Sequence, residues 1–494
     1  MRAARSFWRH LVLSVAMLML FGACGVDRSR GGSGRAPVPE ATAPAGSTTL
    51  STDGRAALQG ELGGTSLRIL VTVEGHPQDL GSADQVSAYL GAMARELASA
   101  LGLEAVVSTG QVDSTAPSAI FRSCDLVVGF LPSAPAFLDG AALLPFLPVR
   151  GSLPQGPEVA WWLCAPAHPR LAASLAASLA RARQDGGLAR DIDRSLGTGA
   201  AQRYFDSIGF DGILRAQYLA LNPSQRTWLA RRRGEGGKLT AAVREGGMYA
   251  YVPQPDGHIL GFDFDLVVTL ANSLGLRLNL NVQKDVKSFF THDGVMPADL
   301  GMRDYDYTPD LLKHVDVYAN PMGVTPWRER LMKMITIYPI RNQLAGRKGE
   351  ELKSIRDLDG KRFAVIKDSV QQKTLQEFAE KNNLHLSFVY DRSEDGLFRL
   401  VRAGKADYIL DGSVIFALKS EEIRDFGLSP FFSELQGVAW AVKKDNEVFA
   451  SIVQSFFNAS RDSGLLPALW SKTFKMDFTA YIDAMTAAAE TGAK

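Results

Sequence analysis

From Ser66 to Glu74 (SLRILVTVE) apolar and polar residues alternate, the period-two signature of a half-buried strand. The next apolar segment, VSAYLGAMARELASALGL, spaces its large side chains three and four apart, which predicts an amphipathic helix. Short strands EAVVS and CDLVVGF follow. The same succession returns at Lys238, with KLTAAV as strand, FDLVVTLANSLGL as helix, then LRLNLNV and VDVYANP as strands. Each half closes on a helical pair, PRLAASLAASLARARQDGGLARDIDRSLG in the first and NEVFASIVQSFFNASRDSGLLPALWSKTF in the second. Strand–helix–strand units in this order predict an α/β fold with mixed or parallel sheets.

The halves differ in length. About 44 residues separate Asp125 from the closing helix at Pro169, against 130 between Asp316 and Asn446. About 85 residues, enough for a small lobe, are therefore found only in the second half. The first half reads as one lobe without its partner. Between the halves lies Arg231-Arg232-Arg233-Gly234-Glu235-Gly236-Gly237, which reads as a solvated linker; no lysine precedes Lys238.

The N-terminus has its own pattern. Arg2, Arg5 and Arg9 lead into an apolar run from Leu11 to Ala23, followed by Cys24. Thirteen residues rise only ~20 Å as a helix, too short for a ~30 Å hydrocarbon core, so the run reads as a secretion signal. The stretch after Cys24 is rich in Gly, Ser, Pro, Ala and Thr and reads as a tether. The expected organisation is a signal peptide at 1–23, a tether at 24–63, a single-lobe domain at 64–212, a linker at 213–237, a two-lobed domain at 238–480 and a tail at 481–494.

With 54 Lys+Arg against 53 Asp+Glu, the chain carries a net charge of +1, and losing the three leader arginines takes it to −2. No overall field favours nucleic acid, which is excluded as a partner class. There are three cysteines, no C-x-x-C and seven scattered histidines, so no metal or cofactor is expected. Cys124 and Cys164 can bridge in an oxidising compartment or stand as two buried thiols.

Four segments resemble the polar amino-acid-binding type of bacterial extracellular solute-binding protein (family 3), the substrate-binding component of ABC importers. GHILGFDFDLVVTLANSLGL (Gly257 to Leu276) is similar to the family's G-x-l-x-G-F-D-x-D-L and helix. VDVYANPMGVTPWRERLMKMITIY places Asp316, Thr325, Arg328 and Tyr338 on the spacing of the family's T-x-x-R strand and following aromatic. DLDGKRFAVIKDSVQQKTLQEF resembles its strand–turn–helix, with Asp368 in place of glycine and Ser369 at the helix start. GKADYILDGSVIF resembles G-x-x-D-A-x-x-x-D, with Asp411 four residues after Asp407 where the family has five. FGAC (Phe21 to Cys24) resembles a lipobox, implying that Cys24 is lipidated.

The resemblance implies a periplasmic-binding-protein-like two-lobed clamshell (type II) in the second half, preceded by a degenerate single-lobe copy. It implies that Arg328 and Thr325 hold a carboxylate, since a guanidinium presents parallel donors to one. Ser369 is then an anion site or a plain helix cap. Asp411 is either an ammonium ligand or, by the shorter interval, turned to the other strand face. Tyr249 and Tyr251 stand beside the position of a ring that stacks on the ligand, and Tyr338 completes the set. CDLVVGFLP also resembles accessory binding proteins of periplasmic quinoprotein dehydrogenases.

The function implied is an extracytoplasmic, lipid-anchored protein that closes on a small amino-acid-like solute, for an ABC permease or a sensing system. A second reading is an accessory or scaffold protein of a membrane complex that has lost solute binding. Murein transglycosylases carry such a domain before a catalytic one. Here the sequence ends about 16 residues past the resemblance, so the expectation is a protein that is not an enzyme.

Overall fold

The computed structural model describes residues 50–491 except 113–116, 133–140, 151–157, 246–249, 256–257, 298–299, 301–303, 351, 353, 368, 420–421 and 432–434. The signal segment, Cys24 and most of the tether lie outside these residues. No described helix is long and apolar enough to cross a membrane.

The alternation at the start of the first half becomes strand β1 (Ser66–Val71), which buries Leu67, Ile69 and Val71 and exposes Ser66 and Arg68. Helix α1 (Ala83–Ala100) follows, its start fixed by a capping box between Ser82 and Gln85. Then come β2 (Glu104–Thr109), β3 (Leu126–Pro132), β4 (Ala142–Val149) and β5 (Glu158–Cys164), and helix α2 (Pro169–Gln184) begins the closing set. The sheet order is β2-β1-β3-β5-β4. β1 runs parallel to β2 and β3; β5 runs antiparallel to β3 and β4. Its two faces carry separate apolar clusters. Cys124 lies in one and Cys164 in the other, so both thiols are free and buried and no disulfide joins them. Burial pushes the Cys124 thiol up to about 11 and raises Cys164 as well, so neither is a ready nucleophile.

Helix α3 (Pro223–Gly234) enters the second half, capped by Asn222 with Pro223 in its first turn. The Arg231-to-Gly237 run is therefore the end of a packed helix and the turn after it, which corrects the solvated-linker expectation. Trp228 stacks on Phe449 at 4.7 Å, and Arg233 donates to the Leu274 carbonyl at 2.9 Å. The first lobe is built from β6 (Lys238–Arg244), the short hairpin β7 (Val252–Pro253) and β8 (Ile259–Leu260), α4 (Phe262–Leu274), β9 (Arg277–Gln283), β10 (Val317–Gly323), α5 (Pro326–Leu331) and β11 (Lys333–Ile340). Gly261 precedes α4 at φ 150°, where a Cβ would strike the Ala250 carbonyl, so glycine is required there.

The chain then enters a second lobe through β12 (Asn342–Arg347), β13 (Arg362–Val365), α6 (Val370–Asn382), β14 (Ser387–Tyr390), α7 (Glu394–Arg402), β15 (Tyr408–Gly412) and β16 (Phe426–Phe431). It returns through β17 (Gln436–Val442) and ends in α8 (Glu447–Asp462), α9 (Leu465–Phe474) and α10 (Phe478–Thr491). The sheets are β11-β17-β10-β6-β9 and β14-β13-β15-β12-β16. This is the two-lobed clamshell of type II binding domains, and β11 and β17 carry both crossings between lobes. The first-half sheet has the strand order of the first lobe, with β4 and β5 in the places of β11 and β17.

One contact recurs in the three five-stranded sheets. The aspartate that opens the third strand, Asp125, Asp316 or Asp407, donates its N–H to a carbonyl on the first strand, that of Arg68, Thr240 or Arg362, each at 2.8 Å. Its carboxylate accepts the N–H of the same residue at 2.9, 2.8 and 2.9 Å. In two sheets that residue is an arginine, which also pairs with the carboxylate at 2.6 and 2.7 Å. Burial opposes the charge on Asp125, yet the Arg68 hydrogen bonds hold its carboxyl below the usual range. The Arg362 hydrogen bonds do the same for Asp407. In the first lobe the strand residue is Thr240, and Arg232 reaches in from α3 to pair with Asp316 instead. Helix α3 is thereby part of this lobe.

Replacing Asp316 with alanine strips the part-buried Thr240 N–H of its acceptor and leaves Arg232 with only its 3.3 Å pair to Glu235. The expected cost is about 2–4 kcal/mol in urea unfolding, and Arg232→Ala should cost less. Equal and negligible losses in both variants would show that the clasp does not hold the lobe.

Candidate functional site

In open α/β sheets, ligands bind beyond the carboxyl ends of the parallel strands. In the first lobe β10 ends at Gly323, and Thr325 caps the short helix α5 that carries Arg328. The Thr325 hydroxyl is buried without a hydrogen-bond partner. The Arg328 guanidinium donates one bond, Nη1 to the Gly323 carbonyl at 2.6 Å, and its Nε is buried and unpartnered. The rings of Trp327 and Phe290 lie 5.0 and 5.3 Å from its central carbon, within cation–π range. Burial alone pushes the Arg328 pKa down to about 10, and among the described residues no carboxylate pairs with it. The side chain is held charged, part-shielded and short of an anion.

In the second lobe Ser369 follows β13 and caps α6, its hydroxyl accepting the Gln372 N–H at 3.2 Å. Gln371, one residue earlier, donates from Nε2 to Asp411 at 3.3 Å. Asp411 sits near the end of β15 and also accepts the Gly412 N–H at 2.8 Å. The shorter Asp407–Asp411 interval therefore leaves this carboxylate beside the start of α6. Burial pushes its pKa up to about 7, and the nearby charge of Glu394 adds to the rise; the two hydrogen bonds oppose it. Glu394, in the first turn of α7, is itself raised by burial and feels Arg244 at the end of β6 in the opposite lobe.

The structure thus groups Thr325 with Arg328 on one lobe and Ser369 with Asp411 on the other, all at strand carboxyl ends. Other expected residues fall elsewhere. Tyr338 is a core residue, 1% exposed, with its ring against Phe262 and Trp470 at 6.0 and 4.9 Å. The aromatic spacing selects it because a core ring and a ligand ring have the same period. Tyr251 packs edge-on against Phe264 at 5.7 Å, on the rim of the main core. Tyr249 and Asp368 lie outside the described residues. Sequence reasoning did not single out Gln371, Glu394, Arg244 or Phe290. Gln371 was findable, since it follows the cap Ser369 by two positions.

Among the described residues, His292, Asp293 and Asp310 place potential metal-ligand atoms within 4.8 Å of one another. Asp310 is already occupied there, accepting the Gly294 N–H at 2.9 Å and pairing with Lys313 at 2.9 Å.

No protein-family model matches the chain. Curated relatives carry the name membrane-bound lytic murein transglycosylase F. That of Sodalis glossinidius is 26% identical over 216 residues, 43% of either chain. That of Aeromonas hydrophila is 28% identical over 261 residues, 51% of this chain and 47% of its own. The chain spans about half the length of the curated relatives it matches. Among solved structures, a mutant of ArgBP from T. maritima is 19% identical with a TM-score of 0.39, covering 50% of this chain and 99% of that one. The amino acid ABC transporter substrate-binding protein AbpA from Streptococcus pneumoniae, bound to L-arginine, is 21% identical with a TM-score of 0.37, covering 49% and 96%. The curated relatives are named as enzymes of murein. That finding overturns both functional expectations, an importer or sensing component and a scaffold, and with them the expectation of a protein that is not an enzyme.

The Asp411 environment sets a pH dependence. In the fold this group keeps its proton to about pH 7, whereas an unfolded aspartate releases it near pH 4. Between those values the folded state binds more protons, so this group's contribution makes stability fall as pH rises. Asp411→Asn should flatten that slope and raise the melting temperature at pH 7.5 by a few degrees, with little change at pH 4.5. Parallel slopes in thermal melts of wild type and variant would place Asp411 in solvent.

Proposed function

We propose that this chain works on murein at the cell envelope, as a protein of the lytic transglycosylase kind, and that residues 238–480 recognise the peptide of that substrate. The observation that carries the reading is the arrangement of charge. The carboxyl end of β10 offers Arg328, which no anion meets among the described residues, and a Thr325 hydroxyl that no partner meets among them. The carboxyl end of β15 offers a half-buried Asp411 that pairs with no cation among the described residues. A ligand bearing both a carboxylate and an ammonium complements the two lobes together, and the amino-acid residues of murein peptides carry such groups. The names of the curated relatives supply the murein context.

Two further parts belong to this reading. Lipidation at Cys24 would hold the chain at a membrane, in keeping with the membrane-bound relatives. Residues 64–212 would be a single-lobe copy of the first lobe, a reading supported by the shared sheet order and the shared aspartate clasp. A lone lobe has no second wall with which to enclose a ligand, so its role would be spacing or docking.

The test uses the full chain in two assays: calorimetric binding of a free murein peptide, and release of soluble muropeptides from purified sacculi. Binding is expected to weaken at least tenfold in Arg328→Ala, the loss of a charge-assisted pair of about 1.5–3 kcal/mol. It is also expected to weaken below pH 7 as Asp411 takes up its proton. A chain that neither binds the peptide nor releases muropeptides would overturn the reading. Binding that survives Arg328→Ala would move the site away from β10.

A further inference from the structure

An open cavity of about 530 Å³, broadly exposed to solvent on one side, lies between the crossover strands and the last helices. Its volume is within the roughly 300–1,000 Å³ of small-molecule sites. None of the cleft groups described above lines it. Pro339 of β11, Leu435 just before β17, and Phe478 and Ile482 of α10 give apolar walls, Thr336 of β11 and Gln436 of β17 add neutral polar groups, and Arg461 of α8 supplies the one charge in the lining. Leu435 is 43% exposed at the rim, an uncovered apolar side chain beside a mostly apolar hollow.

Arg461 is the unusual element. Its Nη2 donates to the Ile337 and Thr336 carbonyls at 2.6 and 3.3 Å, and its Nη1 to the Asn458 side chain at 3.2 Å. All of these acceptors are neutral. Burial lowers its pKa, and among the described residues the one acid that bears on it is its chain neighbour Asp462, with which no ion pair forms. A partly desolvated cation held by neutral acceptors at the edge of an apolar cavity is matched by a single anionic head with an apolar body.

We propose that this cavity is a second ligand site, for a small apolar monocarboxylate, separate from the cleft and independent of the murein reading. Its walls give it a further property. The pairing of β11 with β17 shifts register between Thr336 and Tyr338, and those residues line the cavity. Both crossings between the lobes run through these strands, so rotation of one lobe against the other alters the walls. A ligand that prefers one lobe arrangement would change cleft affinity, and a cleft ligand would change its affinity by the same factor.

Octanoate is the probe, titrated calorimetrically into the full chain, with octanol as the uncharged counterpart and phosphatidylglycerol vesicles as the membrane-lipid counterpart. Saturable octanoate binding is expected, at least tenfold tighter than octanol. Ile482→Trp fills the cavity and should abolish it. Arg461→Gln should bring octanoate down to the octanol level. Arg461 also braces two hinge carbonyls, so its variant can lose folding; Ile482→Trp and the octanoate–octanol comparison in the wild type then carry the test. Absent octanoate binding, binding unchanged in Ile482→Trp, equal binding of octanol, or binding of vesicles alone would each overturn the proposal.

Discussion

Each of the three five-stranded sheets depends on an aspartate at the mouth of its third strand. Asp125, Asp316 and Asp407 each exchange two hydrogen bonds with one residue of the neighbouring first strand. Parallel strands are joined by long crossovers and have no hairpin to set their register. A carboxylate that accepts one particular N–H does that work, because a slip of one residue would leave the acid buried and unpaired. The cation that balances it is less constrained. It comes from the strand itself in two sheets and from a preceding helix in the third.

That substitution explains why the Arg231-to-Gly237 run reads as a linker although it ends a packed helix. Three arginines beside glycines have the composition of a solvated linker, and nothing local shows that Arg232 answers a missing strand arginine 84 residues from its partner. The strand aspartates, by contrast, were legible: CDLVV, VDVY and ADYIL stand out as an acid opening an apolar run. The α/β class and the extra lobe of the second half also followed from period and spacing, because both depend on which face is buried and on chain length.

The site was legible only in part. Arg328, Thr325, Ser369 and Asp411 all fall at strand carboxyl ends, where spacing within single segments could put them. Tyr338 did not, since its ring faces Phe262 and Trp470 in the core and spacing cannot tell the two directions apart. Glu394 and Arg244 acquire meaning from two lobes facing each other, a relation between segments 150 residues apart. Trp327, which the spacing leaves without a role, is explained once Phe290 is seen on the same guanidinium.

The two rings about Arg328 have a thermodynamic consequence. A free arginine loses the motion of several torsions when it grips a ligand, a cost of about 0.5–1.5 kcal/mol for such a side chain. Here Phe290, Trp327 and the Gly323 carbonyl fix those torsions before any ligand arrives. Folding has already imposed the ordering, so on the proposed reading an incoming carboxylate would meet donors that need no rearrangement. Discrimination at the proposed subsite would then follow from shape: an anion that fits the fixed fork would keep the full interaction, and one that does not could not recruit the arginine to follow it.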